Sequence, residues 1–316
     1  MIAVTGANGF VGRMLCDQLE KKDYSVRRLV RRSSSNSSSE FEIGDIGKET
    51  GFTKALIDVS IVIHCAARVH VMNEAVDDSI DEYSRVNSLA TLRLAQEAYN
   101  AGVKRFIFLS SIKVNGEFTK LGHPCTPEVL TCPKDYYGAS KYEAEVGLMA
   151  LAKETGMEVV IIRPPLVYGP GVSANFLSMM IWLSRGLPLP LGGITKNTRS
   201  LVYIDNLIDL IIVCITHAKA ANQIFLVSDD EDLSTTELLE RMAQAMGLPS
   251  RLIPIPEPLV FFITKLIGRS DIYNRLCNSL QIDLKKTKDV LGWSPPVSVE
   301  EGLRKTAEHF LIRPNC

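Results

Sequence analysis

The chain has 316 residues, a formal net charge of −1, and 46% hydrophobic and 22% charged residues, which is ordinary for a globular enzyme and long for one small domain. General nucleic-acid binding, which needs a marked basic excess, is excluded by that balance; the only dense basic cluster is Arg27, Arg28, Arg31 and Arg32. The seven cysteines (Cys16, Cys65, Cys125, Cys132, Cys214, Cys277 and Cys316) show no metal-type pairing, so no metal site is expected and the thiols read as small hydrophobes in a reducing compartment. Apolar stretches such as 207–215 and 259–263 fall short of the ~18 residues a membrane span needs. A strand starting at Met1 leaves no room for a secretion signal, so a cytoplasmic protein is expected.

In chain order, Met1-Ile2-Ala3-Val4 is an apolar run, Thr5-Gly6-Ala7-Asn8-Gly9-Phe10-Val11-Gly12 follows directly, and the pattern turns helical through Leu15 and Leu19. A strand, a glycine turn and a helix in that order predict a dinucleotide cradle. Gly6 permits the tight turn, Gly9 lets the backbone approach a pyrophosphate, and Gly12 lets the helix pack close to the strand. Asn8, Phe10 and Val11 complete the loop, and the N–H groups at the helix start face the phosphates.

Residues 24–30 read as a second strand ending in Arg31-Arg32, and the serine run 33–39 as a surface loop. Residues 60–65 read as a strand ending in the small pair Ala66-Ala67. Residues 83–99 are amphipathic and helical, Arg105–Leu109 is a buried strand, 141–154 a helix and 158–162 another strand. This alternation predicts an α/β fold, a Rossmann-type doubly wound parallel sheet with ligands at the carboxyl ends of its strands. From Arg163 onward prolines and glycines break the alternation, while 200–204 and 223–227 look like returns to the sheet. The expected organisation is a dinucleotide-binding domain over 1–165, rejoined by 200–228, and a smaller discontinuous substrate lobe over 166–199 and 229–316.

Tyr137-Gly138-Ala139-Ser140-Lys141 places a tyrosine and a lysine one turn apart on one helix face. A nearby ammonium lowers a phenol's pKa, which lets the tyrosine exchange a proton with a substrate alcohol near neutral pH. The strand over 106–109 runs into two hydroxyls, Ser110 and Ser111, either placed to bond the same substrate oxygen. In isolation these residues also suit an ordinary helix start beside a strand end.

Together with the glycine turn, in this order, the motifs resemble the extended short-chain dehydrogenase/reductase family, in its branch of nucleotide-sugar epimerases, dehydratases and reductases. The resemblance covers essentially the whole chain. It implies catalytic roles for Ser111, Tyr137 and Lys141; Ser110 is the weaker candidate, because the family's serine lies five residues before a glycine, here Gly116. It implies cofactor contacts from the glycine loop, from Asp45-Ile46 beside the adenine, from Ala66 and Ala67, and from Asn87, a structural and proton-relay residue. The run from Arg163 to Gly171 resembles the hinge into the substrate lobe. Asn175 then resembles a nucleotide-sugar contact, and Arg199 an arginine holding the UDP diphosphate, a task suited to its planar fork. Arg275 is a possible second clamp or a solvated surface residue. A homodimer is implied by the resemblance alone.

Three departures refine the reading. Where NAD-binding relatives carry an acid at the end of the second strand, this chain has Val30 followed by Arg31 and Arg32, which favours NADP over NAD; a solvated basic loop is the alternative. Where the dehydratases carry an acid after the serine, Ile112-Lys113 stands, so dehydration ranks low and Lys113 either faces the sugar or is solvated. Leu166 and Asn115 replace an asparagine and a tyrosine expected near the sugar.

All these activities share hydride transfer at the sugar's 4-position. Segments 110–117, 163–171 and 291–303 resemble the enzymes that reduce UDP-4-keto-6-deoxy-N-acetylglucosamine to UDP-N-acetylquinovosamine for bacterial surface polysaccharide. That reduction is the leading expectation. The alternative is 4-epimerisation of UDP-glucose or UDP-N-acetylglucosamine, and the third reading, a non-catalytic dinucleotide sensor, is disfavoured by the retained Tyr137–Lys141 pair.

Overall fold

The computed structural model describes residues 1–33, 39–48, 51–69, 81–266, 268 and 270–312; residues 34–38 of the serine run, and Cys316, lie outside the described residues. The strands are β1 (Ile2–Thr5), β2 (Val26–Val30), β3 (Glu40–Glu42), β4 (Ile61–His64), β5 (Arg105–Leu109), β6 (Glu158–Arg163), β7 (Leu166–Tyr168), β8 (Arg199–Tyr203), β9 (Gln223–Leu226) and β10 (Asp232–Leu233). The helices are α1 (Phe10–Lys21), α2 (Ala90–Asn100), α3 (Tyr136–Thr155), α4 (Ala174–Ser184), α5 (Ile204–Thr216), α6 (Thr235–Ala245), α7 (Glu257–Leu266), α8 (Ser270–Cys277), α9 (Lys285–Leu291) and α10 (Val299–Ile312).

Seven strands form one sheet in the order β3-β2-β1-β4-β5-β6-β9, parallel throughout. A parallel sheet is covered on both faces, which is why its central strands are apolar runs rather than alternating ones. Ile63, Ile107 and Val160 pack on one side with Leu15, Leu19, Leu207 and Ile211. Val62, Phe106 and Phe108 pack on the other with Leu94, Ala98, Ala144 and Leu148. Strand order reverses between β1 and β4, and the register sets Thr5 beside His64 and His64 beside Phe108. The loops leaving β1, β4 and β5 therefore open together at one edge, the switch point where such sheets bind ligands.

Arg105 fastens a covering helix. It is buried, pairs with Glu158, and donates from Nη1 to the carbonyls of Cys214 (2.7 Å) and Ile215 (2.8 Å) at the end of α5, where orphaned helix carbonyls need donors.

One expected strand goes elsewhere. Residues 200–204 do not return to the large sheet: β8 pairs in parallel with β7 and antiparallel with β10 in a separate three-stranded sheet. The place beside β6 is taken by β9, with Val160 opposite Gln223, so of the 200–228 segment only 223–226 joins the large sheet as a strand, while α5 packs back against α1 and β5. Apolar periodicity marks a strand without saying which sheet it enters. Two helices also differ from expectation. The 83–99 helix opens with a widened π-type stretch, Ser84–Leu89, before α2. Helix α3 starts five residues before Lys141, capped by Asp135, whose carboxylate accepts from Gly138 N at 3.0 Å.

Candidate functional site

Gly6 has φ +66°, and a Cβ there would lie 2.8 Å from Ala66 N, so the exits of β1 and β4 touch through a position only glycine fills. A Cβ on Gly12 would lie 2.2 Å from the Gly6 carbonyl oxygen. The close approach that Gly12 allows is therefore to the glycine turn itself rather than to the strand. The start of α1 is left open: Gly9 supplies no side-chain cap and no acid stands in the first turn. Unmet N–H groups and the positive helix end favour an anion there. Asn8 and Gly9 are exposed, Phe10 and Val11 half-buried, and Ala66 and Ala67 half-buried opposite them. A dinucleotide's diphosphate fits this cradle.

Farther along the same edge, Asp45 accepts from Gly47 N at 3.0 Å, and Ile46 is buried with its carbonyl held by Arg93. The basic cluster divides in two. Arg27 donates to the Ala55 and Ile57 carbonyls and Arg28 pairs with Asp17 and Glu20 of α1, whereas Arg31 and Arg32 are exposed just past the buried Val30.

Opposite the cradle, Ser111 leaves β5 and caps the short turn Ile112–Val114, accepting from Lys113 N at 3.2 Å. Its hydroxyl lies near enough to the Tyr137 phenol to favour the ionised form of that phenol. Burial pushes that phenol up to about 12, outweighing the opposite influence of the nearby Ser111 hydroxyl. The expected lowering by Lys141 is not met here. Lys141 Nζ donates to the Leu109 carbonyl at 2.9 Å and stands 4.4 Å over the Phe108 ring; burial lowers the amine to about 8. Ser110 is turned away, its hydroxyl bonded to Glu145 in a buried network with Arg163. Asn87, buried in the π-type stretch, accepts from Arg68 N (2.8 Å) and donates to the Arg68 carbonyl and to Ser140 Oγ (both 3.1 Å). Ser140 Oγ donates in turn to the Tyr137 carbonyl at 2.8 Å.

The remaining expected residues are spread over the second lobe and the β5 exit. Lys113 Nζ is held between Glu117 (3.2 Å) and Asp135 (3.3 Å). The Asn115 amide donates to the Thr126 and Glu128 carbonyls and its oxygen accepts from Arg163. It pins a loop. Leu166 is 41% exposed at the start of β7. Asn175 is exposed in the first turn of α4, just after Ala174 at φ +54°. Arg199 is half-buried, donates to the Asn278 carbonyl at 2.8 Å, and has its charged form disfavoured by burial alone. Arg275 is exposed on α8, one turn before Asn278.

Residues 2–228 match the model of the NAD dependent epimerase/dehydratase family. The chain belongs to that family. Its similarity to the UDP-glucose 4-epimerase of Vibrio cholerae is 50% identity over 312 residues, covering 98% of this chain and 95% of the relative. Among solved structures, a short-chain dehydrogenase/reductase superfamily protein of Agrobacterium tumefaciens with bound NAD superposes with TM-score 0.79 at 23% identity, covering 99% and 98% of the two chains. UDP-glucuronic acid 4-epimerase of Bacillus cereus, in complex with NAD, also gives 0.79, at 22% identity and 100% and 98% coverage.

As a member of this family the protein is an NAD-dependent enzyme, and three features of the molecule escape sequence reading. Gly138 is required in Tyr-Gly-Ala-Ser-Lys because a Cβ there would meet Asp135 Oδ2 at 2.5 Å and the Lys113 carbonyl at 2.7 Å. The π-type stretch that aims Asn87 has no periodicity signature. A cavity of about 640 Å³ in the second lobe, lined by Lys196, Glu257, Phe261 and Tyr273, joins segments far apart in the chain. Among the described residues no helix is long and apolar enough to cross a membrane, and no group of three His, Cys, Asp or Glu could hold a metal ion.

Proposed function

We propose that this chain oxidises and reduces the 4-position of a UDP-linked hexose, with Ser111, Tyr137 and Lys141 as the reacting group. The observation that carries this reading is their convergence: Ser111 beside the Tyr137 phenol, and the buried Lys141 bonded to the Leu109 carbonyl, lie where β5 and α3 meet, on the sheet edge that also carries the glycine cradle. NAD, when bound, supplies hydride exchange with the sugar's C4. Tyr137 passes the proton of the 4-hydroxyl, Ser111 orients the same oxygen, and Asn87 holds the start of α3 in place through Ser140. Arg199 suits a diphosphate, being a desolvated cation with no carboxylate partner among the described residues. Asn175 and Arg275 are proposed around it.

4-Epimerisation is the outcome supported by the relative at 50% identity. One observation favours the second reading, reduction of UDP-4-keto-6-deoxy-N-acetylglucosamine with NADPH: β2 ends in buried Val30 without an acid for the ribose, and Arg31 and Arg32 stand exposed beside it. The experiment mixes the purified protein with UDP-glucose or UDP-N-acetylglucosamine without added reductant, and separately with the 4-keto sugar and NADPH or NADH. Interconversion of the 4-epimers without reductant supports the epimerase. Stoichiometric loss of the reduced-nicotinamide absorbance with the 4-keto sugar, and no epimerisation, replaces it with the reductase, and a faster reaction with NADPH then assigns Arg31 and Arg32 to the 2′-phosphate. No turnover in either assay overturns both.

A further inference from the structure

One buried histidine has no part in the chemistry above, yet it touches both of its arms. His64, the last residue of β4, is fully buried. Its Nδ1 lies 2.6 Å from Thr5 Oγ1 and its Nε2 lies 2.9 Å from Thr91 Oγ1. The tautomer follows from the neighbours. Thr91 Oγ1 gives its proton to the Asn87 carbonyl at 2.8 Å, so toward His64 it can only accept, and Nε2 carries the hydrogen. Nδ1 is then the acceptor, and the Thr5 hydroxyl donates to it. The Thr5 oxygen in turn accepts from Ala66 N at 3.2 Å, beside the contact with Gly6.

The result is one continuous buried line from the glycine cradle through Thr5, His64 and Thr91 to Asn87. From there the Asn87 side chain continues it to Ser140 and the Tyr137 carbonyl. A second contact leaves the face of the same ring. The imidazole stacks on Phe108, with centroids 5.7 Å apart and planes at 15°, and Phe108 carries the Lys141 ammonium 4.4 Å from its centroid. A protonated imidazole there would face a second cation in a dry environment, and burial with Lys141 holds the ring neutral.

We propose that His64 is a positioning residue of the site: as a neutral Nε2–H imidazole it ties the cradle strand to Asn87 and so fixes the start of α3 under Tyr137, while its stacked face fixes the Phe108 seat of Lys141. The proposal deepens the reading of Tyr137 and Lys141 as reacting groups and rests on it.

Two variants separate its arms. His64→Phe keeps the stack on Phe108 and loses both hydrogen bonds; His64→Gln can keep a donor for Thr91. Displacing a reacting group by ~1 Å costs up to about a hundredfold in rate, so His64→Phe is expected to lower kcat roughly 10- to 100-fold on whichever UDP-sugar the wild type converts, with KM within about twofold. His64→Gln is expected to recover most of that loss. A His64→Phe enzyme as fast as wild type overturns the proposal, and so does a fall in kcat that His64→Gln does not relieve while both variants stay folded. A second readout needs no turnover. The Tyr137 phenol is titrated in the cofactor-free protein by phenolate absorbance, taken as the difference from Tyr137→Phe, in the wild-type and His64→Phe backgrounds. A shifted titration is expected, and an unchanged one overturns the positioning role. If the wild type converts no UDP-sugar, the function proposed above fails, and this titration still decides the role of His64.

Discussion

Two arginines in different parts of the molecule have opposite surroundings. Arg163, at the end of β6, is 1% exposed and fully engaged: Glu145 takes Nε and Nη2, and the Asn115 oxygen and Pro127 carbonyl take Nη1 at 3.0 and 2.8 Å. Arg199, in β8, is half-buried with, among the described residues, a single carbonyl bond and no carboxylate. The first region completes its own electrostatics. The second leaves a desolvated positive charge uncompensated, which is costly for folding and useful for holding an anion. The same contrast divides the site, since Ser111, Lys141 and Asn87 are held by internal bonds while Asn175 and Arg275 are exposed and Arg199 is half-buried with no carboxylate beside it among the described residues.

The largest expected effect falls in the self-completed region. Tyr137→Phe removes the proton-transfer group while leaving the ring beside Tyr83, 6.2 Å away edge-on. Positioned acid–base groups contribute about 10²–10⁴-fold, so kcat should fall by that order with the urea midpoint unchanged. A variant retaining most of its turnover would remove Tyr137 from the chemistry.

Next is Arg163→Met. Losing one partner of a buried pair strands the other charge, at a cost of about 3–5 kcal/mol. Urea unfolding should show a loss of that size, and Arg163→Met combined with Glu145→Met should recover much of it. The corresponding Arg199→Met should behave in reverse. Stability should change by about 1 kcal/mol, because only the half-buried Asn278 carbonyl loses a donor and no charge is stranded, while affinity for UDP, measured by calorimetry, should fall roughly 10- to 100-fold, the worth of about 1.5–3 kcal/mol for charged hydrogen bonds. If Arg199→Met unfolds the protein and spares UDP binding, the contrast between the two arginines collapses.

What was legible in the sequence follows the same division. The large sheet and the order of its motifs could be read because their determinants are local: apolar runs, a glycine spacing, a tyrosine and lysine four apart. Choosing Ser111 over Ser110 needed a family pattern, and the structure supplies the physical reason, since Ser110 is committed to Glu145. The errors came where distant segments decide. Residues 200–204 carry a good strand pattern, but the small sheet claims them. The side chain of Asn115 is committed to Thr126, Glu128 and Arg163, partners that its spacing in the chain does not reveal. The phenol's pKa was assigned from one neighbour's charge, whereas burial dominates it. Spacing along a chain cannot report desolvation.

The smallest expected effect tests how completely the first region is wired, through pH. Burial holds the folded His64 pKa at about 3 against an ordinary 6.5. Below pH 6.5 the unfolded chain takes a proton that the folded ring refuses, so His64 makes stability fall as pH drops from about 6.5 toward 3. From pH 7 to pH 5 that loss is about 2 kcal/mol. Asp229 works in the opposite sense over much of this window. Burial raises its carboxyl from 3.8 to about 6, so it makes stability fall as pH rises through that range, and the net slope of the wild type mixes the two. The His64 contribution is therefore read as a difference: urea unfolding of wild type and His64→Gln at pH 7 and pH 5, with the wild type expected to lose about 2 kcal/mol more. Parallel losses in the two proteins would mean that the imidazole accepts a proton within its buried line, and the region that looks self-completed would then be as open to charge as the wall carrying Arg199.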